Sequence, residues 1–159
     1  MNDPADITNW LRLSDLITTS GQPSEDQLAA IADLGVKHVV NLALHTHALA
    51  LANEGATVAE LGMRYVHIPV DFTNPTEADF SRFCMTLADV GDDPAHVHCI
   101  LNARVSAFFF RYRRTLLGWA EVDARPALNF VWRPGGVWAS FIGDQAATAA
   151  SHQYAGQDY

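Results

Sequence analysis

Cysteine is scarce in this 159-residue chain: Cys84 and Cys99 are too few for a disulfide framework, so a reducing compartment is the expectation. Basic residues are few too. Ten Lys and Arg against 18 Asp and Glu leave a net charge of −8, which excludes the general basic surface that a nucleic-acid or anionic-membrane binder needs. Neither a nucleic acid nor a membrane is expected as a partner. Long apolar runs are also missing: the stretch 105–110 gives way at once to Arg111, far short of the ~18 residues a membrane helix requires. The start, Met-Asn-Asp-Pro-Ala-Asp, lacks the basic-then-apolar plan of a signal peptide, so the chain is expected to be cytoplasmic.

What is present fits one packed core. Hydrophobic residues make up 49% and charged residues 18%, and the length suits one domain. We place that domain at residues 1–144 and read the small, polar stretch 145–159 as a frayed C-terminal tail. The charge is uneven. Residues 1–99 hold 4 basic and 14 acidic residues, whereas residues 100–135 hold 6 and 2, so the second stretch stands at 6 − 2 = +4 in an acidic protein. Local anion binding is therefore open to it.

Apolar periodicity alternates between strand-like and helix-like stretches, which predicts an α/β fold: a single three-layer domain with a central, mostly parallel sheet flanked by helices. Residues 16–18 are extended. Ser24-Glu25-Asp26-Gln27 has the form of a capping box and opens a helix to about Leu34. A strand is predicted over 36–42, a helix over 48–61 interrupted at Gly55, and a second strand over 64–70 that Pro69 turns into a loop. After Asn74-Pro75, Phe80, Phe83, Cys84 and Leu87 share one helical face. A strand over 95–99 is followed within five residues by a helix from Arg104, and an amphipathic stretch over 119–131 ends at Arg133-Pro134-Gly135-Gly136.

The tight turn between the last strand and its helix is His98-Cys99-Ile100-Leu101-Asn102-Ala103-Arg104. Amides of a short loop entering a helix have no intrahelical partner, so those of Ile100, Leu101, Asn102, Ala103 and Arg104 favour an anion at their centre. In that field Cys99 is favoured as a thiolate nucleophile. Arg104 presents a planar fork that grips two oxygens of a tetrahedral oxyanion, which Lys cannot do.

Here the sequence resembles the cysteine-dependent phosphatase superfamily, whose loop runs His-Cys, five residues, then Arg. It is most similar to the small bacterial phosphatase-like family related to dual-specificity tyrosine phosphatases, also found fused to β-lactamase-fold hydrolases. Ser20-Gly21-Gln22-Pro23 with Gly35-Val36-Lys37-His38-Val39-Val40-Asn41-Leu42 carries the opening, Ile68-Pro69-Val70-Asp71 the strand and acid loop, and the turn His98 to Arg104 the third segment. The resemblance runs from about residue 16 to 117. It implies a phosphatase-like fold and hydrolysis of phosphate monoesters, with Cys99 forming a phosphocysteine, Arg104 binding phosphoryl oxygens, and Asp71 protonating the leaving oxygen and then activating water. The implied partner is a phosphorylated substrate, either a phosphoprotein or a small phosphate ester, and no metal or organic cofactor is implied.

The pattern departs from the family in three places. Only four residues separate Cys99 from Arg104, one fewer than in the standard loop, as the small bacterial group often shows. Asn102 stands where a loop glycine is usual, and Asn is among the few residues that tolerate a left-handed backbone. Val105 replaces the usual hydroxyl residue, so Ser106, one position on, is the candidate to support the sulfur. A six-residue loop from Cys to Arg is also similar to single-domain rhodaneses, where the thiol carries a persulfide. A catalytically silent oxyanion-binding module is a third reading.

Other residues are read more plainly. Glu77 and Asp79 compete with Asp71 but should lie inside the following helix, His98 should orient the loop by a hydrogen bond, and Cys84 should be core. His45 and His47 read as loop histidines that could contact substrate. Arg111, Arg113 and Arg114 complement a helix C-terminus or widen an anion-attracting surface, and Trp119, Trp132 and Trp138 should fix the C-terminal elements against the body.

Overall fold

The computed structural model describes every residue except Met1 and Asp158, so the start and the tail read above each include one residue outside the described ones. Five strands, β1 (Leu11–Arg12), β2 (Ile17–Ser20), β3 (His38–Asn41), β4 (Arg64–His67) and β5 (Ala95–His98), form one sheet in the order β1-β2-β5-β3-β4. Only β1 runs antiparallel, to β2; the other pairs are parallel, as the alternation of strand and helix patterns predicts. Val39 and Val40 show why β3 sits inside. Both are fully buried, Val39 with Leu28, Ile31 and Val58 on one face of the sheet, and Val40 with Phe83, Val97 and Phe108 on the other.

The helices are placed by their caps and apolar faces. In α1 (Glu25–Asp33), Ser24 and Gln27 form the reciprocal capping box, and Leu28 and Ile31 turn inward. In α3 (Glu77–Val90), Thr76 and Asp79 do the same, and Phe80, Phe83 and Val90 are buried. Helix α4 (Ala103–Thr115) buries every residue from Ala103 to Phe110, so its first two turns belong to the core, while its arginine-rich end reaches the surface. Helices α5 (Glu121–Val131) and α6 (Gly136–Ile142) pack against it, with Trp132 and Trp138 buried between them as anchors. Among the described residues no helix is long and apolar enough to cross a membrane.

Several boundaries differ from the sequence reading. The helix of the 48–61 stretch is only α2 (Glu54–Glu60), because Asn53 caps it by accepting from the Ala56 amide. Gly55 therefore lies in its first turn instead of interrupting it, where a Cβ would press on the Tyr65 ring at 3.2 Å. Helix α6 begins at the Gly135-Gly136 pair that reads as a stop. In the stretch 145–159 the described residues make a 3₁₀ turn at Gln145–Ala147, and His152 and Tyr154 lie on Trp132, with ring centroids 5.0 and 5.7 Å away. The small residues of the stretch are what permit this. The Ala150 backbone passes so close to Gly135 that a side chain there would collide with it.

Phe83 is fully buried and meets Phe108, Phe109 and Tyr112 edge-to-face at 5.3, 5.1 and 6.1 Å, the joint between α3 and α4. Phe83→Ala should cost about 3–5 kcal/mol. Urea denaturation should show a lower midpoint with an unchanged slope; a cost below ~1 kcal/mol would mean the joint is not load-sharing.

Candidate active site

The parallel register sets Ser20, Asn41 and His67 beside one another with His98, so four strands end at the same edge of the sheet. The chain leaves β5 there and is held on both sides. The Cys99 amide donates to Ser20 O (3.3 Å), the Gln22 amide to Ile100 O (3.0 Å), and the Leu42 amide to His98 O (2.9 Å). Gly21 is required where it stands, since a Cβ would overlap Ile100 O. Asn102 takes the left-handed conformation, φ 67° and ψ 5°, at the entrance to α4. Its side chain points away from the loop's interior business, donating to Asn9 O (2.9 Å) and Thr19 Oγ1 (3.0 Å).

The backbone consequence is specific. After Cys99, the next amide with an acceptor is that of Ser106, on Asn102 O (2.9 Å); among the described residues the amides of 100–105 donate to nothing. Arg104, 1% exposed, closes this run. Its Nη1 donates to Val70 O (2.9 Å), its Nη2 to the main-chain oxygen of Tyr159, and its Nε has no partner among the described residues. The guanidinium stands over the Phe72 ring at 5.4 Å. Asp71, next to both Val70 and Phe72, is exposed and accepts from the Thr73 hydroxyl and amide, each at 2.8 Å. Those two donors, with the Arg104 charge added, hold its carboxyl below the usual aspartate range despite slight burial.

Behind Cys99 lies a buried polar network. His98 directs Nδ1 at Cys99 O (3.1 Å) and Nε2 at Glu54 Oε2 (2.7 Å), while Gln22 Nε2 donates to Glu54 Oε1 (2.7 Å). Burial raises the Glu54 carboxyl, but the His98 charge and the bonds from His98, Gln22 and Tyr65 outweigh it and keep it below its ordinary value. Tyr65 is pushed up by burial and by the Glu54 charge, and its hydroxyl accepts from Asn41 Nδ2 (3.0 Å). His96, next along β5, is fully buried between Thr18 Oγ1 and Ser20 Oγ, both at 2.8 Å, and burial drives its pKa far down, so it is neutral.

Residues 6–132 match the family described as DSP-PTPase phosphatase fused to NAD+ kinase. The chain belongs to this family. It is a cysteine-dependent, PTP-like phosphatase, and solved structures agree in fold. A DUF442 protein of Shewanella putrefaciens CN-32 is 27% identical, with a TM-score of 0.75 over 88% of this chain and 90% of that one. The core catalytic domain of the PP-IP phosphatase SIW14 from S. cerevisiae has a TM-score of 0.72 at 13% identity, covering 86% and 85%. TpbA of P. aeruginosa has 0.62 at 20%, covering 89% and 81%. No curated protein matches.

In this phosphatase the sequence-predicted residues divide. The turn from Cys99 to Arg104 and the Asp71 loop come together around Arg104. Ser106 does not support the sulfur: it lies in the first turn of α4, so its hydroxyl donates to Ala103 O (2.9 Å) and accepts from Trp132 Nε1 (3.1 Å). Glu77 is engaged by Arg111 at 2.6 and 2.9 Å, and Asp79 caps the Thr76 amide (3.0 Å), whereas Asp71 lies between Val70 and Phe72, the two residues that meet the Arg104 guanidinium. Arg113 donates to Leu13 O (3.2 Å) and stacks on Trp119, and Arg114 donates to Trp119 O (2.9 Å), so these arginines serve the fold. His45 stacks on His67 at 3.6 Å and meets the Tyr65 hydroxyl (3.0 Å); the His47 ring accepts from the Leu49 amide (3.0 Å). Cys84 is half-buried against the core.

Glu54 escaped the sequence reading. It is 44 residues from His98, and no spacing rule links them. The only available signal was an acid at a capped helix start in a stretch otherwise of small and apolar residues.

Cys99 itself is fully buried. His152 stacks on Phe72 at 5.8 Å, Tyr154 packs against Tyr159 at 5.2 Å, and Tyr159 reaches Arg104, so the tail covers the side of the loop that carries the guanidinium. In a Cys84→Ser background, replacing His152 and Tyr154 by Ala should speed alkylation of Cys99 by iodoacetamide. An unchanged rate would show that the tail does not limit access.

Proposed function

We propose that the phosphatase hydrolyses phosphate monoesters through a phosphocysteine formed on Cys99. One observation carries this reading: a run of acceptor-free amides from residue 100 to 105 that begins at a cysteine and closes on buried Arg104. Such a run at the start of α4 is built for a group with several anionic oxygens. In this reading, substrate displaces the Tyr159 oxygen from Arg104 Nη2 and brings a phosphoryl oxygen to that donor.

The residues then act as follows. The Cys99 thiolate attacks phosphorus, the bond to the ester oxygen breaks, and Asp71 gives that oxygen its proton. The loop amides of Ile100, Leu101, Asn102, Ala103 and Arg104, with the guanidinium, hold the equatorial oxygens as charge develops on them. In the second step water attacks phosphorus, Asp71 takes a proton from it, and the sulfur–phosphorus bond breaks to return the thiolate and release inorganic phosphate. The structure of TpbA with pTyr makes an aryl phosphate the first substrate to test.

With an aryl phosphate, Cys99→Ser should be inactive and Asp71→Asn should lose on the order of 10² to 10⁴ in rate, less with a more activated leaving group. Equal turnover by the parent and Cys99→Ser would overturn the mechanism. Gain of one sulfur on Cys99 during thiosulfate-to-cyanide transfer, insensitive to Asp71→Asn, would replace it with sulfur transfer.

Asp71 also sets a pH dependence. Its acid role needs the protonated form, yet the two Thr73 donors and Arg104 stabilise the carboxylate, so kcat/KM should be greatest on the acid side of neutrality. Removing the hydroxyl in Thr73→Val takes away a donor to the charged form and raises the Asp71 pKa. The alkaline limb of kcat/KM should then move to higher pH, and movement to lower pH would contradict the assignment of Asp71.

A further inference from the structure

Glu54 is the only buried carboxylate among the described residues. Placing a carboxylate in a protein interior costs several kcal/mol unless it is paired and hydrogen-bonded. The chain meets that cost at one place, immediately behind the nucleophile. Asn53 starts α2 so that Glu54 is its first residue, and both carboxylate oxygens are engaged, one by His98 and the other by Gln22.

Those two partners hold opposite sides of the loop. Gln22 donates its own amide to Ile100 O, and His98 aims Nδ1 at Cys99 O. The ring of His98 thus lies between two acceptors, the Cys99 carbonyl and the Glu54 carboxylate. A neutral imidazole has one N–H and would set a lone pair against one of them; only the doubly protonated ring satisfies both. Glu54 is the buried carboxylate bonded to that ring. His96 is neutral, and His67, held below its ordinary value chiefly by burial, carries little charge at neutral pH.

We propose that Glu54 is a positioning residue of the phosphatase reaction: through its bond to His98 it keeps that ring doubly protonated, with one N–H on the Cys99 carbonyl, so that a fixed positive charge stands beside the nucleophile. The proposal rests on the reading of Cys99 as the nucleophile. The groups that face Cys99 and His98 are few: Glu54 from α2, Tyr65 and His67 from β4, His96 from β5 itself, Arg104 from α4, and Asp71 through Arg104. Of the cations, Arg104 is needed by the substrate oxygens. The His98–Glu54 pair is the one that stays in place throughout turnover.

Two measurements test this without requiring turnover. The first is the thiolate absorbance of Cys99, read against pH as the difference between the parent and Cys99→Ser, which cancels Cys84. In Glu54→Gln, which keeps the shape but not the charge, the absorbance should appear at higher pH by about one unit, roughly tenfold less thiolate below the midpoint. Phosphate affinity, which uses the amides and Arg104, should be retained, and Glu54→Asp should restore part of the thiolate. A folded Glu54→Gln with an unmoved curve would overturn the proposal. The second measurement needs no variant to fold: the ring-nitrogen resonances of His98 in the parent should report two protonated nitrogens at neutral pH, and one bare nitrogen would overturn it. Failure of the phosphatase reading would look different, as absent aryl phosphate turnover with both of these signatures intact.

Discussion

The structure turns on one constraint: a backbone that leaves a parallel strand at His98 and enters a helix at Ala103 strands a row of amides that no described residue satisfies. An orphaned buried N–H costs ~1–3 kcal/mol, so such a row persists only where the surroundings hold it rigidly. The surroundings do so. Ser20 and Gln22 bond the loop from the end of β2, Leu42 from the end of β3, Asn9 and Asn102 bond each other's segments, and the buried run 103–110 of α4 prevents the helix from sliding to absorb the loop. The strand order, with β5 in the middle, makes this possible. A central strand has a neighbour on each side from which the loop can be held.

How much of this was legible in the sequence follows from how far apart the partners lie. The strand–turn–helix of the loop is a local event spanning seven residues, and each feature of it could be read from residue type: the cysteine, the arginine, and an asparagine able to take a positive φ. The capping box at Ser24 is equally local, and α1 starts where it dictates; the box at Thr76, which starts α3, is passed over in a sequence reading that favours Asn74-Pro75. The Glu54–His98 pair joins residues 44 apart and depends on where α2 lands against the sheet, which no periodicity encodes. Ser106 failed for the opposite reason. Its place in the first turn made a local bond to Ala103 O available, and Trp132, a distant residue, took its remaining capacity.

The C-terminal segment shows what composition leaves out. Ala, Gly, Ser and Gln between 145 and 157 have little to bury, and a loose tail is what such residues predict. Three rings, His152, Tyr154 and Tyr159, reverse this by finding Trp132, Phe72 and one another. The small residues are then an advantage: only a slim backbone can pass Gly135 to bring those rings to the site. Aromatic residues at wide intervals carry no period, so no face was visible before the partner surface was known.

The charge distribution completes the picture. The +4 balance of residues 100–135 reads as a basic surface, but Arg111, Arg113, Arg114 and Arg125 are spent on Glu77, main-chain oxygens, Glu121 and aromatic rings. Arg133 is exposed, so Arg104 is the one guanidinium at the loop, and with a set of neutral amides it receives a dianion in a protein of net charge −8. Backbone dipoles suit this better than added cations would. They act at hydrogen-bond range, are fixed before substrate arrives, and keep their strength where burial removes water, whereas exposed cations are screened within about 10 Å at ordinary salt. An acidic surface is therefore compatible with an anion site, provided the site is made of the chain's own turn.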